Sequence, residues 1–391
     1  MTGMSSLAII AAMDSILRYA RSKQNDIIAL IRELVECETP SGDSAGVSRF
    51  AELFAERARD IARTRVFPAG QFGKHLRCEF RLPGAKKEGQ ILALGHADTV
   101  WPRGAIGEMP FRRARGRLYG PGVFDMKAGL VFFLFAMRAL RDLDIPVARS
   151  VILQINSDEE VGSPSSRPLT EQAARRSAAV LVLEPGTGLE GKLKTARKGV
   201  GGYTVTVRGR ASHAGVDFEA GANAIVEMAR QIERVAGFTR LNRGITVSPG
   251  VIRGGTRSNV VAAECCVEVD VRIPRHRDQA YVERSFRSLK PFDKRCSIEV
   301  IGGVNRPPME RSAAVRRLFG IAQSFAAEMG VELGESLSGG GSDGSFTSAM
   351  GAPTLDGLGA VGEGAHASNE SILIGRIADR TALLAKLVAR L

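Results

Sequence analysis

The sequence predicts an α/β protein in which a mixed, largely parallel sheet lies between helices, with a smaller α+β domain inserted into the chain. Short apolar runs typical of buried strands occur at 91–94, 151–155 and 180–183, and a long apolar helix from Leu130 to Leu140 lies among them. At about residue 197 the pattern changes to the strict alternation of strands that have one exposed face. The first style then returns near residue 309.

The parts on either side of the insertion are predicted to alternate helices and strands. Apolar residues at helical spacing indicate a helix over 24–37, and Pro40-Ser41-Gly42-Asp43 ends it and caps a second helix. The other predicted elements are a strand from Leu76 to Leu82, a helix over 311–329, a short strand at Pro353-Thr354-Leu355 and a final helix from about Arg376.

The inserted segment is predicted to form a ferredoxin-like domain. Its clearest strand runs from Val261 to Ile273, where apolar residues alternate with Glu, Asp and Arg. The elements follow the order β-α-β-β-α-β of a split β-α-β unit. They are strand Tyr203–Arg208, helix Ala222–Val235, strand Ile245–Ile252, strand Val261–Ile273, helix Gln279–Leu289 and strand Cys296–Ile301.

Polar side chains directly follow three of the buried strands. His96 and Asp98 follow the first, Glu159 and Glu160 the second, and Glu184 the third. Because ligands gather beyond the carboxyl ends of strands in open α/β sheets, we expect these side chains to meet. Acids collected at the end of an apolar strand are costly without a cation. The sequence therefore predicts a metal site at this edge.

Two further candidates extend this set to a pair of metals. Asp125 lies in a glycine-rich segment before the long apolar helix, and His366 lies in a late loop. Imidazole and carboxylate without thiolate suit zinc, manganese or cobalt. A catalytic metal needs about three protein ligands, so five ligands drawn from these seven candidates suggest two metals that share a carboxylate.

Composition and charge exclude several classes of protein. The 391 residues include 54 Lys+Arg and 42 Asp+Glu, a formal charge of +12, which a solvated basic surface or an anionic substrate explains. Nucleic-acid binding is disfavoured because the chain has no zinc finger, RNP-type aromatic pair or basic helix with interleaved aromatics. Five cysteines without C-x-x-C spacing indicate buried thiols rather than disulfides or a zinc knuckle.

We expect a cytoplasmic protein without a membrane span. The unpaired cysteines suit a reducing compartment, and no run approaches the length of a bilayer crossing. We expect no signal peptide, because the apolar stretch from Leu7 to Met13 is short, follows no Lys or Arg and ends at Asp14.

Seven segments occur in an order that resembles a known family. They are His96-Ala97-Asp98, Gly122-Val123-Phe124-Asp125-Met126-Lys127, Asp158-Glu159-Glu160-Val161-Gly162, Glu184-Pro185, Ala211-Ser212-His213-Ala214-Gly215, Gly339-Gly340-Gly341-Ser342-Asp343 and His366. The set resembles the M20 family of dinuclear zinc peptidases and deacylases, most closely its glutamate carboxypeptidase branch. The resemblance covers nearly the whole chain.

The resemblance implies a ligand set for two zinc ions per subunit, with cobalt or manganese as alternatives. Asp125 would bridge the metals, His96 and Glu184 would complete one site, and Glu160 and His366 would complete the other. The resemblance also implies a cis peptide bond after the bridging residue, between Asp125 and Met126.

Three further residues receive catalytic roles from the resemblance. Asp98 would orient His96, and Glu159 would move a proton from the attacking water to the leaving nitrogen. His213 would reach the active site of a partner protomer and stabilise the oxyanion.

Four residues match substrate-binding positions of the family. Asn259, Arg272 and Arg306 would bind the free carboxylate of the substrate, which an arginine fork suits. Lys192 would be a further substrate contact.

The resemblance also implies the domain organisation. Residues 1–196 and 309–391 would form a phosphorylase/hydrolase-like catalytic domain. Residues 197–308 would form a dimerisation or lid domain, so the expected assembly is a homodimer.

The expected function is that of a metallocarboxypeptidase. It would cleave an amide bond by attack of hydroxide held at the metals, with Glu159 as general base, and would release a C-terminal amino acid with glutamate as the candidate. The alternative is an N-acyl amino acid deacylase such as acetylornithine deacetylase. A binding protein that only inherited the fold is disfavoured because the base and all ligands are present. The expected partners are small peptide or N-acyl amino acid substrates rather than nucleic acid or membrane.

Overall fold

The computed structural model describes residues 15–391, and the chain divides into two compact units. The first unit comprises residues up to Ala196 together with Arg311–Ser338 and Ser342–Leu391. The second unit comprises Arg197–Glu310 and Gly339–Gly341. The stretch from Leu7 to Met13, in which we expect no signal peptide, lies outside the described residues.

The strands and helices of the two units are numbered together in chain order. The strands are β1 Ala62–Pro68, β2 Lys74–Phe80, β3 Gln90–His96, β4 Arg112–Ala114, β5 Arg117–Tyr119, β6 Ser150–Asn156, β7 Ser177–Val182, β8 Leu193–Arg197, β9 Gly199–Arg208, β10 Thr246–Gly254, β11 Glu264–Ile273, β12 Ser297–Arg306, β13 Glu335–Ser338, β14 Thr354–Leu355, β15 Gly362–Glu363 and β16 Ser371–Leu373. The helices are α1 Gln24–Glu36, α2 Ser44–Ala58, α3 Ala105–Glu108, α4 Ala128–Asp142, α5 Arg167–Ala174, α6 Ala224–Ala236, α7 His276–Arg287, α8 Ala313–Glu328, α9 Gly344–Ala349 and α10 Ile377–Arg390.

A six-stranded sheet forms the centre of the first unit, in the order β1-β2-β6-β3-β7-β14. Strands β6, β3, β7 and β14 are parallel, whereas β1 and β2 are antiparallel to their neighbours. The predicted mixed, largely parallel sheet is therefore confirmed. Its central strand β3 is buried from Ile91 onward, and the apolar helix α4 packs near it. Such burial is typical of parallel strands, which are covered on both faces of the sheet.

The sequence analysis does not predict the edge strand β1, and the composition of this strand explains why. Arg63 and Arg65 are exposed on it, and Pro68 ends it. Charged residues and a terminal proline are typical of sheet edges, where they block pairing with other chains, but they hide the apolar alternation of a strand.

A small second sheet of the first unit fixes the late loop of the chain. Its order is β15-β16-β5-β4, and Ser371 of β16 pairs with Tyr119 of β5. This pairing places the loop between β15 and β16, which carries His366, against the segment that follows β5. That segment carries Asp125.

The second unit has the predicted order of elements, β-α-β-β-α-β. Its antiparallel sheet runs β10-β11-β9-β12, so the first and third strands of the unit lie in the middle. A separate apolar core lies on one face and includes Tyr203 and Phe286, whose rings stack with centroids 3.8 Å apart. Helix α7 begins at His276, three residues before the predicted start.

Each helix within residues 15–391 is, by its own sequence, either too short or too polar for the length and hydrophobicity that a bilayer crossing needs.

Gly129 of α4 lies close to the backbone just after β7. A Cβ atom added to Gly129 would lie 2.2 Å from the carbonyl oxygen of Leu183, which precedes Glu184. We predict that Gly129→Ala lowers the free energy of unfolding by about 1–3 kcal/mol, because the methyl group overpacks the contact. Urea denaturation measures this change.

Gly320 provides the matched control for this prediction. It lies on the exposed face of α8, and an added Cβ atom there would meet nothing within 4 Å. Gly320→Ala should stabilise the protein by up to about 1 kcal/mol through helix propensity alone. Equal effects of the two substitutions would contradict the close approach at Gly129.

Candidate metal centre

Three neighbouring parallel strands bring the first candidate ligands to one edge of the sheet. His96 is the last residue of β3, Glu160 lies in a turn after β6, and Glu184 follows β7. Strands β6 and β7 pair with β3 on its two sides, so their carboxyl ends lie next to one another. The local reason is the apolar run of each strand, which buries the strand and leaves its polar successor at the rim.

Asp125 and His366 come from irregular segments beside that rim. Asp125 lies in the turn Val123–Lys127 that leads into α4, and its peptide bond to Met126 is cis, as the resemblance predicts. His366 has a φ of 61°, in the left-handed region that residues other than glycine seldom adopt. Such conformations are held by their surroundings and are concentrated at functional sites.

The Asp125 carboxylate lies between two imidazole rings. Its Oδ1 is 3.3 Å from Nε2 of His96, and its Oδ2 is 3.4 Å from Nε2 of His366. The same His96 nitrogen is 3.5 Å from Oε1 of Glu184, and the same His366 nitrogen is 3.4 Å from Oε1 of Glu160. All five predicted ligands therefore lie in one cluster, with Asp125 as its shared member.

These separations fit metal coordination. Four tetrahedral ligands about 2.0–2.2 Å from a zinc ion lie about 3.3–3.6 Å from one another. Asp125 Oδ1 and Glu160 Oε1 are buried and accept no hydrogen bond from the described residues. Buried carboxylate oxygens are costly without a partner, and a divalent cation is such a partner. The residues present therefore fit a pair of divalent cations.

Glu159 belongs to the same rim. One group of side chains whose ligand atoms lie within 4.8 Å of one another comprises His96, Glu159 and Glu184, and a second comprises His96, Asp125 and Glu160. Glu159 is half-buried, so its side chain is near the cluster and partly exposed to solvent. That position suits a proton carrier as well as a ligand.

Burial and neighbouring charges shift the pKa values of these groups. Burial alone would lower the pKa of His96, but the surrounding carboxylates, first Asp125, raise it well above its usual range. Hydrogen bonding to Asp125 raises the pKa of His366 to about 9. Burial raises the pKa of Glu160 to about 7. Such shifts are typical of functional sites, where several ionisable side chains lie close together.

Asp98 contacts His96 mainly through its backbone. Nδ1 of His96 is 2.9 Å from the Asp98 carbonyl oxygen and 3.6 Å from its Oδ1. The fully buried Asp98 carboxylate also accepts the backbone N–H groups of Glu159 at 3.0 Å and Glu160 at 3.1 Å, and the Ser41 hydroxyl at 2.9 Å. Asp98 therefore holds the turn that carries both glutamates, which the sequence did not predict.

His213 and Asn259 lie together in the second unit. His213 pairs with Val260 in a β-bridge, and the Asn259 carbonyl accepts the Ala214 N–H at 3.0 Å. The exposed His213 ring accepts two backbone N–H groups at Nδ1, both at 3.1 Å. The proton of the neutral ring therefore lies on Nε2, where it is available for donation.

The two predicted arginines of the second unit flank the triple-glycine segment Gly339–Gly341. Arg272 donates to Asp270, with its closest contact at 2.8 Å, and to the Gly339 carbonyl at 3.3 Å. Arg306 is buried, and a Cβ atom on Gly341 would lie 2.6 Å from its Cδ. The glycines thus leave room for the arginine side chain.

Lys192 occupies a different environment, in the first unit. Its backbone pairs with Thr187, and its side chain lies along Gly334. It belongs to neither group of potential metal ligands. Its predicted contact with substrate stays a prediction.

Two buried acids near the centre were missed as functional residues. Asp343 accepts the Asn156 side-chain N–H at 2.6 Å and also accepts the Ser163 hydroxyl, which braces both ends of the acidic turn. Glu370 accepts N–H groups from the segment that carries Asp125. The available signals were the glycine-rich motif before Asp343 and the position of Glu370 four residues after His366.

Comparisons with known proteins agree with this arrangement. A sequence profile of peptidase family M20/M25/M40 matches residues 92–390. The chain is 28% identical to carboxypeptidase G2 of Pseudomonas sp. (strain RS-16), over 97% of this chain and 93% of that protein. It is 32% identical to acetylornithine deacetylase of Proteus mirabilis (strain HI4320), over 47% of this chain and 50% of that protein.

A solved structure extends the comparison to the fold. A dinuclear metal-binding peptidase of the M20 family from Bacillus subtilis superposes with a TM-score of 0.68 at 14% identity, covering 95% of this chain and 98% of that one. The two chains therefore share a fold.

The raised pKa of His366 gives a prediction for cation binding. In the metal-free protein this pKa is about 9, so the ring is protonated at neutral pH. Only the neutral ring coordinates a metal, so binding must release the proton, and affinity should rise as the pH approaches the pKa of His366 at about 9. Calorimetry in buffers of different ionisation enthalpy measures the number of protons released.

His366→Ala should remove this proton from the count, whereas His276→Ala, an exposed histidine of the second unit, should leave the count unchanged. An identical count in wild type and His366→Ala would contradict the assignment.

Proposed function

The chain belongs to peptidase family M20/M25/M40, a family of metal-dependent hydrolases, and from this premise we propose that it cleaves an amide bond to release a C-terminal amino acid. The observation that carries the proposal is the Asp125 carboxylate, whose two oxygens face His96 and His366 at 3.3 and 3.4 Å. The distances support a pair of cations with one shared ligand.

We propose two zinc ions per subunit, with cobalt and manganese as alternatives. His96, Asp125 and Glu184 would hold one ion, and Asp125, Glu160 and His366 would hold the other. When bound, such a pair supplies Lewis-acid polarisation of the scissile carbonyl and increases the acidity of water at the site.

Glu159 is the proposed general base and acid. Its backbone N–H is fixed by Asp98 at 3.0 Å, so the side chain starts from a defined position at the rim. In the proposed reaction Glu159 takes the proton of the attacking water and gives it to the leaving nitrogen. Nε2 of His213 from a partner protomer would donate a hydrogen bond to the oxyanion that forms.

The proposed substrate carries a free α-carboxylate on its leaving amino acid. Asn259, Arg272, Arg306 and Lys192 are the proposed contacts for this substrate, and the net charge of +12 suits an anionic molecule. The similarity to carboxypeptidase G2 spans 97% of the chain and favours a carboxypeptidase. We propose glutamate as the candidate leaving amino acid. An N-acyl amino acid deacylase is the second candidate, supported by similarity over 47% of the chain.

We further propose that the protein is a cytoplasmic homodimer that associates through the second unit. Val216 and Phe218, which follow His213, expose 82% and 64% of their surface, and such side chains suit an interface. The five cysteines are free, which suits a reducing compartment. Light scattering that gives the mass of one chain would contradict the dimer, and recovery of the native protein outside the cytoplasm would contradict the location.

Glu159→Gln tests the proposed base. The substitution removes the proton acceptor but leaves the five ligands, so we predict wild-type metal content with a loss of kcat of at least about 100-fold. Metal content is measured by elemental analysis, and hydrolysis on N-acetyl, N-benzoyl and folate-like glutamyl amides with zinc and with cobalt. Glu56→Gln, on the exposed face of α2, is the control. Full activity of Glu159→Gln would refute the assignment.

Arg272→Met tests recognition of the carboxylate. A charge-assisted hydrogen bond contributes about 1.5–3 kcal/mol, so we predict a KM for N-acylglutamate raised by about 10- to 100-fold with little change in kcat. The α-amide of the same substrate should bind wild type and variant equally. Arg208→Met, on the same sheet and paired with Glu299, is the control. A variant that still discriminates carboxylate from amide would exclude Arg272 from the pocket.

A further inference from the structure

A single buried carboxylate gathers backbone and side-chain donors beside the metal centre. Glu370 is 1% exposed. Its Oε1 accepts the backbone N–H groups of Phe124 at 2.9 Å and Asp125 at 3.0 Å. Its Oε2 accepts the Gly122 N–H at 2.8 Å and the indole N–H of Trp101 at 2.7 Å. Both oxygens are therefore occupied by two donors each.

The backbone of Glu370 strengthens the same connection. Its carbonyl oxygen accepts the Gly120 N–H at 3.4 Å, and its own N–H donates to the Ala367 carbonyl at 2.9 Å. The second bond closes the turn from Ala367 to Glu370, which directly follows His366. Glu370 thus ties the loop that carries one imidazole to the segment that carries the shared carboxylate.

Only a carboxylate matches this arrangement of donors. Four N–H groups converge on two oxygens, and an ionised carboxylate accepts at both oxygens without a proton of its own. An amide in its place would turn an N–H group toward two N–H donors. Burial raises the pKa of Glu370, and the donors, first the Asp125 N–H, oppose that rise.

We propose that Glu370 is a positioning residue that fixes Asp125 between His96 and His366 and thereby sets the affinity of the centre for divalent cations. The proposal rests on the proposed function, because it assumes that Asp125 is the shared ligand. Glu370 acts through the backbone of Asp125 and touches neither cation nor substrate. Partners of metal ligands typically change metal affinity by about 10- to 100-fold when they are replaced.

The test is the affinity of Glu370→Gln for zinc, measured by competition with a chromogenic chelator. We expect a loss of at least about 10-fold, together with an altered visible absorption spectrum of the cobalt-loaded protein. The spectrum reports on ligand geometry, which a loss of stability alone would not change. Thermal unfolding of the metal-free proteins shows whether the variant is folded.

Glu227→Gln is the matched control. Glu227 is also buried, and its carboxylate accepts the N–H groups of Phe292 at 2.9 Å and Asp293 at 3.0 Å and a Gln231 side-chain N–H at 2.7 Å. It lies in the second unit, so its replacement should lower stability without changing zinc affinity or the cobalt spectrum.

Trp101 provides a milder variant and an optical probe. Trp101→Phe removes one of the four donors, so we expect a smaller loss of zinc affinity than in Glu370→Gln. This variant replaces Glu370→Gln in the test if Glu370→Gln does not fold. Trp101 is the only tryptophan of the chain, so its fluorescence reports on this contact directly. Zinc binding should change the emission of the wild type more than that of Glu370→Gln.

The outcomes separate the two proposals. Wild-type protein that binds no divalent cation would overturn the proposed function and this inference with it. Wild-type zinc affinity in folded Glu370→Gln, or in Trp101→Phe where Glu370→Gln does not fold, would overturn the inference alone. An equal loss of zinc affinity in Glu227→Gln would also overturn it, because the effect would then follow stability.

Discussion

The shared carboxylate of Asp125 is the constraint on which the rest of the first unit depends. Two imidazoles and two further carboxylates converge on it, and one of its buried oxygens accepts no hydrogen bond from residues 15–391. Such a concentration of charge is unfavourable in a protein interior unless cations balance it. The parallel sheet provides the edge at which this cluster forms, since His96 ends one strand and Glu160 and Glu184 follow the two strands beside it.

Backbone N–H groups are the means by which this cluster is held in place. The Asp98 carboxylate accepts those of Glu159 and Glu160, and the Glu370 carboxylate accepts that of Asp125. Neither acid needs to touch a cation to determine where the candidate ligands lie. Hydrogen bonds of about 3 Å can thus hold candidate ligands from separate loops in defined positions.

The sequence predicted those parts of the fold and site that leave a side-chain pattern. Continuous apolar runs identified the buried strands, and the His, Asp and Glu residues at their ends identified the edge. The contacts of Glu370 could not be predicted, because its donors are mainly backbone groups of residues 122–125 that leave no mark in the sequence. The two-residue strand β15 is likewise fixed by tertiary pairing rather than by local propensity.

The discontinuity of the first unit has a consequence during synthesis. Four of the five clustered residues precede the insertion, whereas His366 lies after it, beyond α8. A nascent chain that has emerged only as far as the second unit therefore lacks one imidazole, and the loop of Glu370 with it. Completion of the centre must wait for pairing between segments far apart along the chain, a late and comparatively slow event in folding.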